Sequence, residues 1–386
     1  MYRLLSLLFI LLFGCSQQKE NNSLVELRAS DEYVRLPLDE TTKTDISTFF
    51  VYHTDTASCF IFQNEETNDI LFYDRATQQQ IKKVHYQVEG ANGVGRFVGF
   101  YPLSLNEFIL TRPDLCELYF VNDQGIVKKK IRYDQNENGD RLIPYVSATG
   151  DVGPIALIGN KLFLRQMINP YFGEDILEKS PVSIMIDTVT HEVTTLPLRF
   201  PSVVPAEKYL NHQNGLNTYR CFNGREFVYS FSLDEEIYVA SGFHDTIQSI
   251  RAKSKYIDKL QTIEPEITDF KQALKRMAEQ AVYRNILYDP YREVYYRFVY
   301  LENELNDNEN FRDLIRYGHR LFSVLIIDKN FKVIGETLFP EFIYNPTLAF
   351  VDEDGFYISN SHYKNPDYNE DVLSFRKFTL TPITDK

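Results

Sequence analysis

A chain of 386 residues that is 44% hydrophobic and 25% charged carries enough apolar side chain for a sizeable core. Its 54 acidic against 41 basic side chains leave a net charge of −13. That balance shows no basic stripe, which argues against nucleic acid as a partner and against docking of the folded part on an anionic membrane surface.

In chain order, Arg3 and the apolar run from Leu4 to Phe13 read as a signal segment, shorter than the about 20 residues a membrane span needs. Leu12-Phe13-Gly14-Cys15 resembles the bacterial lipobox, with Phe13 where a small residue is usual. Two readings stand: a lipoprotein signal whose Cys15 is lipidated, or an ordinary secretory signal with a chance cysteine. On the first, residues 1–15 are removed up to the lipidated Cys15 and residues 16–30 are a flexible tether. Residues 31–386 are then a single domain, and Ser16 after the cysteine resembles lipoproteins of the outer membrane.

From Thr48 the chain alternates apolar and polar residues in short runs separated by turn residues, the pattern of half-buried strands. A strand–turn–strand unit, first seen from Ile70 to Tyr86, returns along the chain, and such repetition marks a repeat architecture. Four strands per unit account for Thr48 to Tyr86, Arg96 to Tyr133, Gly153 to Leu198, Thr218 to Arg251 and Ala281 to Phe339. Thr347 to Leu380 supplies three strands, and the missing fourth is expected from Glu32–Leu38 or Leu24–Ala29. The expected fold is an all-β, six-bladed β-propeller whose N-terminal strand closes the last blade. One amphipathic helix interrupts it, with Phe270, Leu274, Met277 and Ala281 on one face and Thr268 as N-cap, in a blade-to-blade connection. Cys59, Cys116 and Cys221 have no zinc or disulfide spacing and read as small buried hydrophobes.

Three passages carry a family resemblance: Asn64 to Asp74, Glu89 to Gly95, and Tyr288 to Arg297. They resemble an uncharacterised group of bacterial surface lipoproteins, the domain of unknown function 4221 family, similar to TolB-type six-bladed propellers. The resemblance covers essentially the whole mature chain and implies the fold; it brings no established catalytic residues.

Strand-two-to-three loops and blade-to-blade connections of a propeller share one face. Here that face collects the long loops, where function tends to sit. Glu89 and Asn92, in a glycine-rich passage, and Asp151 are candidate ligand groups at the channel mouth; for the passage the plainer alternative is a sharp glycine turn. Asp134, Asn136, Asn138 and Asp140 match the first half of a calcium loop, but Tyr145 replaces the closing glutamate, so a solvated polar turn is the simpler reading and no cofactor is required. The histidines form no metal-ligand pair and no nucleophile elbow occurs.

These features point first to a non-catalytic binding or scaffold module of the cell envelope, recognising a protein, peptide or glycan through an acidic long-loop face. A calcium-dependent propeller hydrolase or lactonase, with Glu89, Asn92 and Asp151 converging on the channel, is the enzymatic alternative. An accessory subunit of a nutrient-uptake assembly is a third.

Overall fold

The computed structural model describes residues 24–149, 153–201, 217–260 and 269–383. Cys15 and the signal segment lie outside them. The chain is all-β, with short helices only in connections.

The strands form where alternation predicts them. The first sheet holds β2 (Phe49–His53), β3 (Ser58–Asn64), β4 (Asp69–Asp74) and β5 (Gln80–His85). The second holds β6 (Phe100–Ser104), β7 (Glu107–Thr111), β8 (Glu117–Asn122) and β9 (Val127–Arg132). The third holds β10 (Ala156–Ile158), β11 (Lys161–Arg165), β12 (Ser183–Asp187) and β13 (Val193–Thr195). The fourth holds β14 (Thr218–Phe222), β15 (Glu226–Phe231), β16 (Glu236–Ser241) and β17 (Ile247–Arg251). Each is antiparallel throughout, as hairpin connections require.

The third-to-fourth-strand turns share one chemistry. Asp74, Asn122, Asp187 and Asp328 each end a third strand and accept backbone N–H groups from the turn that follows. An Asx side chain so placed fixes where a strand must reverse. Cys59, Cys116 and Cys221 are buried free thiols.

The remaining strands, expected as two separate sheets, share one. β18 (Val282–Asp289), β19 (Val294–Tyr300), β20 (Phe322–Asp328) and β21 (Val333–Leu338) run into β1 (Val25–Pro37). β1 in turn pairs antiparallel with β24 (Val372–Pro382), followed by β23 (Gly355–Ser359) and β22 (Asn345–Asp352). The result is four four-stranded sheets and one eight-stranded sheet in a propeller-like arrangement, rather than six separate sheets. The cause is one parallel pair, Val25 with Gly335, reinforced by the Leu27 N–H donating to Thr337 Oγ1 at 2.8 Å. β1 begins at Val25, inside the stretch expected to be tether, so residues 25–30 belong to the sheet.

Gly335 is what lets this seam form. A Cβ there would stand 2.0 Å from the Val25 carbonyl oxygen. Gly335→Ala is therefore expected to part β1 from β21 and cost about 1–3 kcal/mol. Hydrogen exchange at β1 read beside urea unfolding checks this: faster exchange at 25–29 with an unchanged β2–β5 sheet is the expected result.

Apolar clusters fill the gaps between successive sheets. Phe60, Phe62 and Leu71 of the first sheet pack on Leu36, Leu348 and Phe375 of the last, so the ring closes by side chains. Within the eight-stranded sheet, Tyr296 and Phe298 pack against Phe356 and Ile358, so its two halves face each other across a core of their own. The expected helix is α2 (Phe270–Glu279), preceded in the chain by the single-turn α1 (Ile176–Lys179). Its N-cap is Asp269, whose side chain accepts from the Gln272 N–H at 2.8 Å, and not Thr268, which lies outside the described residues. Phe270 is exposed and Ala281 lies beyond the helix end, so the buried stripe is narrower than the spacing predicts.

Candidate functional site

The inner strands β2, β14, β18 and β22 begin on the long-loop face, and residues just before or just inside their starts line a cleft of about 350 Å³. Two helices wall it. One is α2; the other is α3 (Phe311–Tyr317), which folds inside the connection expected to be plain loop. Asn310 caps α3, and Phe311 and Leu314 bury against Ala278 and Leu305, tying the two helices together. This packing holds Met277 and Arg316 at the cleft.

Arg316 forms an ion pair with Asp45, in the connection before β2. Burial pushes the Asp45 carboxyl above its ordinary range, while the Arg316 charge pulls the other way. Ser47 donates to exposed Glu65 on the same rim. Arg284 lies between the rings of Tyr219 and Tyr300, at 5.2 and 5.0 Å from their centroids. The mouth is thus of mixed charge rather than uniformly acidic.

Arg284 reaches the cleft because β18 carries a bulge. Tyr283 pairs with Val299 and Ile286 with Arg297, so β18 spends one residue more than β19 between these pairs. Bulges re-aim side chains next to sites. Here Arg284 lines the cleft, and its neighbour Asn285 lines a separate cavity at the turn-face end of the channel. Two adjacent polar residues inside the apolar text Tyr283-Arg284-Asn285-Ile286 are the sequence signal for this bulge, and alternation alone passes over it.

Two of the residues expected at the mouth, Glu89 and Asn92, are elsewhere. Asn92 Oδ1 accepts from the Val127 N–H at 3.2 Å, at the start of the outermost strand β9. Glu89 is exposed on the same loop, so both sit at the rim of the disc. The twist of each sheet carries the end of an outer strand to the next sheet's outer edge, away from the axis. Asp151 lies outside the described residues. The convergence of Glu89, Asn92 and Asp151 on which the enzymatic alternative rested is not formed by the first two.

The calcium-like loop is held by its own bonds. Asn136 Oδ1 accepts from the Asn138 and Asp140 N–H groups, and its Nδ2 donates to Asp140 Oδ2 at 3.0 Å. Asp134 pairs with Arg132 at 2.6 Å, which lowers its carboxyl, and Glu137 anchors the loop to Thr195. These bonds favour the polar-turn reading, and no cluster of three or more metal-ligating side chains occurs among the described residues.

The three distinctive passages turn out to brace the fold. Asn64 donates to Thr42 Oγ1 at 2.9 Å and accepts from Glu66 N–H, while Asn68 Nδ2 donates to the Tyr86 and Gly95 carbonyls. Asn68 has φ 64°, a left-handed conformation that asparagine tolerates. Arg292 pairs with Asp289 at 2.8 Å and donates to the Asp352 and Glu353 carbonyls, linking two neighbouring hairpins.

Residues 25–338 match the model of a family described as a domain of unknown function (DUF4221). A solved member of that family from Bacteroides vulgatus is 25% identical, with a TM-score of 0.82 over 94% of this chain and 100% of its own. A candidate exported protein from Bacteroides fragilis is 9% identical, with a TM-score of 0.53 over 94% of this chain and 97% of its own. The curated proteins give no match.

Proposed function

The chain belongs to the domain of unknown function (DUF4221) family, and from that premise we propose that it is a non-catalytic binding module. It takes a protein or peptide segment bearing charged side chains at the channel mouth of its long-loop face. The observation that carries this is the helix-walled cleft of about 350 Å³ presenting Asp45 and Glu65 beside Arg284 and Arg316. Groups of both signs at one mouth favour a ligand with complementary charges, and charge complementarity sets specificity and association rate. The strands supply a rigid frame, and the loops α2 and α3 belong to supply the variable surface.

We also read the eight-stranded sheet as two blades, because its halves pack face to face and meet at a single parallel pair. On that count the ring has six blades, with β1 as the outermost strand of the last. In the proposed setting Cys15 anchors the protein by lipid in the cell envelope, on the outer membrane. The signal-like start of the sequence supports this setting, and the exported-protein description of the Bacteroides fragilis neighbour agrees with it.

Affinity capture from mildly solubilised, crosslinked envelopes tests the proposal. Wild-type chain is expected to retain one stoichiometric partner. Arg316→Glu combined with Glu65→Lys is expected to reduce that capture at least about tenfold, since each reverses a rim charge. Arg316 is 54% exposed and Glu65 is exposed, and urea unfolding of the variant beside wild type checks that the fold is kept. No partner, or equal capture by the variant, contradicts it.

A further inference from the structure

The opposite end of the channel carries a second site. Its cavity of about 300 Å³ is lined by residues of the inner strands β6, β10, β14 and β18 and of the segment before β10, with Tyr101, Leu157, Phe222, Ile286 and Tyr288 on its walls. That is the small end of the range in which drug-sized pockets fall. The walls are chiefly aromatic and aliphatic. Asn285 also lines the cavity, is 3% exposed, and its Nδ2 has no hydrogen-bond partner.

An unsatisfied buried amide is costly, about 1–3 kcal/mol, and such groups call for a partner. The β18 bulge that turns Arg284 to one cavity turns Asn285 to the other. A half-turn of χ2 exchanges the two ends of the carboxamide, so the side chain can offer the cavity either a donor or an acceptor. Among the described residues that line the cavity the charged one is Arg220. Its guanidinium is bonded to Ser183 Oγ and the Phe163 carbonyl, neither of which lines the cavity.

We infer that this cavity binds a small, uncharged ring compound with an amide-type edge. The ring stacks on the tyrosine and phenylalanine walls, and a carbonyl or N–H on its edge pairs with Asn285. The site is independent of the channel mouth, so protein capture on the long-loop face does not bear on it.

Benzamide is the probe, with toluene as the ring without an edge and benzoate as its charged counterpart. Ligand-observed NMR titration of the purified chain is expected to show saturable benzamide binding, tighter than that of either control. Asn285→Leu is expected to weaken benzamide about tenfold and leave toluene unchanged. Leu157→Trp, at a residue 37% exposed on the cavity rim, is expected to abolish binding of both and guards against a folding defect in the first variant. No saturable benzamide binding, benzoate binding as tightly as benzamide, or benzamide affinity unmoved by either substitution overturns the inference. Loss with Leu157→Trp but not with a folded Asn285→Leu overturns the role of the amide.

Discussion

Replacing Arg297 with methionine is expected to cost the fold about 3–5 kcal/mol, a large share of the stability of any single domain. Arg297 lies in β19 with no exposed surface. Its Nε donates to Ser230 Oγ at 2.9 Å, and its terminal nitrogens reach the carbonyls of Asp234, Glu235, Glu236 and Ala252. The guanidinium also stacks on Tyr283 at 3.7 Å from the ring centroid. Every hydrogen-bonded group belongs to the β14–β17 sheet or the connections beside it, so one side chain clamps two successive sheets.

Burial lowers the Arg297 pKa to about 10, which still leaves it charged at neutral pH. Methionine fills much of the volume but abandons four carbonyls, those of Asp234 and Ala252 in buried contacts, and each unsatisfied buried group carries a desolvation penalty. Lysine restores the charge without the planar fork and is expected to recover less than half of the loss. Urea unfolding of the three proteins measures this. A loss below about 1 kcal/mol for Arg297→Met shows that the clamp does not hold the sheets.

Acidification is the second large effect. His244, His319 and His362 are buried, and burial pushes each down to about 4 from an ordinary 6.5. Their neighbours suit the neutral ring: Tyr229 Oη is 2.6 Å from His244 Nε2, and His362 Nδ1 accepts the Lys364 N–H at 3.1 Å. His319 Nε2 meets the Met277 carbonyl at 3.1 Å, beneath α2.

The folded chain therefore binds fewer protons than the unfolded chain between pH 4 and 6.5. Stability is fully present above 6.5 and is lost as the pH falls towards 4. Three such groups together remove on the order of 5 kcal/mol between pH 7.5 and 5. Denaturant midpoints across that interval measure the effect. Substituting glutamine at any one of the three is expected to reduce the slope by one proton. A flat profile contradicts the neutral, buried state of these rings.

How much of this was legible in the sequence follows from the range of each interaction. Strand positions and their Asx turns are local, and Asp74, Asn122 and Asp187 announce theirs within a few residues. Pairing of the two chain ends follows from counting strands, and β1 does lie on β24. The seam from Val25 to Gly335 is not local, and a lone glycine in a strand does not say which strand approaches it. Helix α3 left a readable signal, Asn310 three residues before Asp313 with apolar residues at 311, 314 and 315, inside text dominated by acidic and amide residues.

The site was less legible than the fold. Glu89 and Asn92 follow an outer strand, and only the twist of the sheet decides that they end at the rim. Arg297 closes the tyrosine-rich passage Tyr288 to Arg297, whose residues brace neighbouring sheets. Distinctive text in this chain marks architecture. The polar groups at the two ends of the channel come from inner-strand starts, a helix and a bulge, brought together only by closure of the ring.

Hydrogen exchange of the purified chain, alone and with crosslinkable envelope extract, tests the placement of function on the long-loop face most directly. Slowed exchange confined to residues 41–48, 270–280 and 301–320 is the result predicted. Protection limited to the tight turns of the opposite face, or none anywhere, contradicts it.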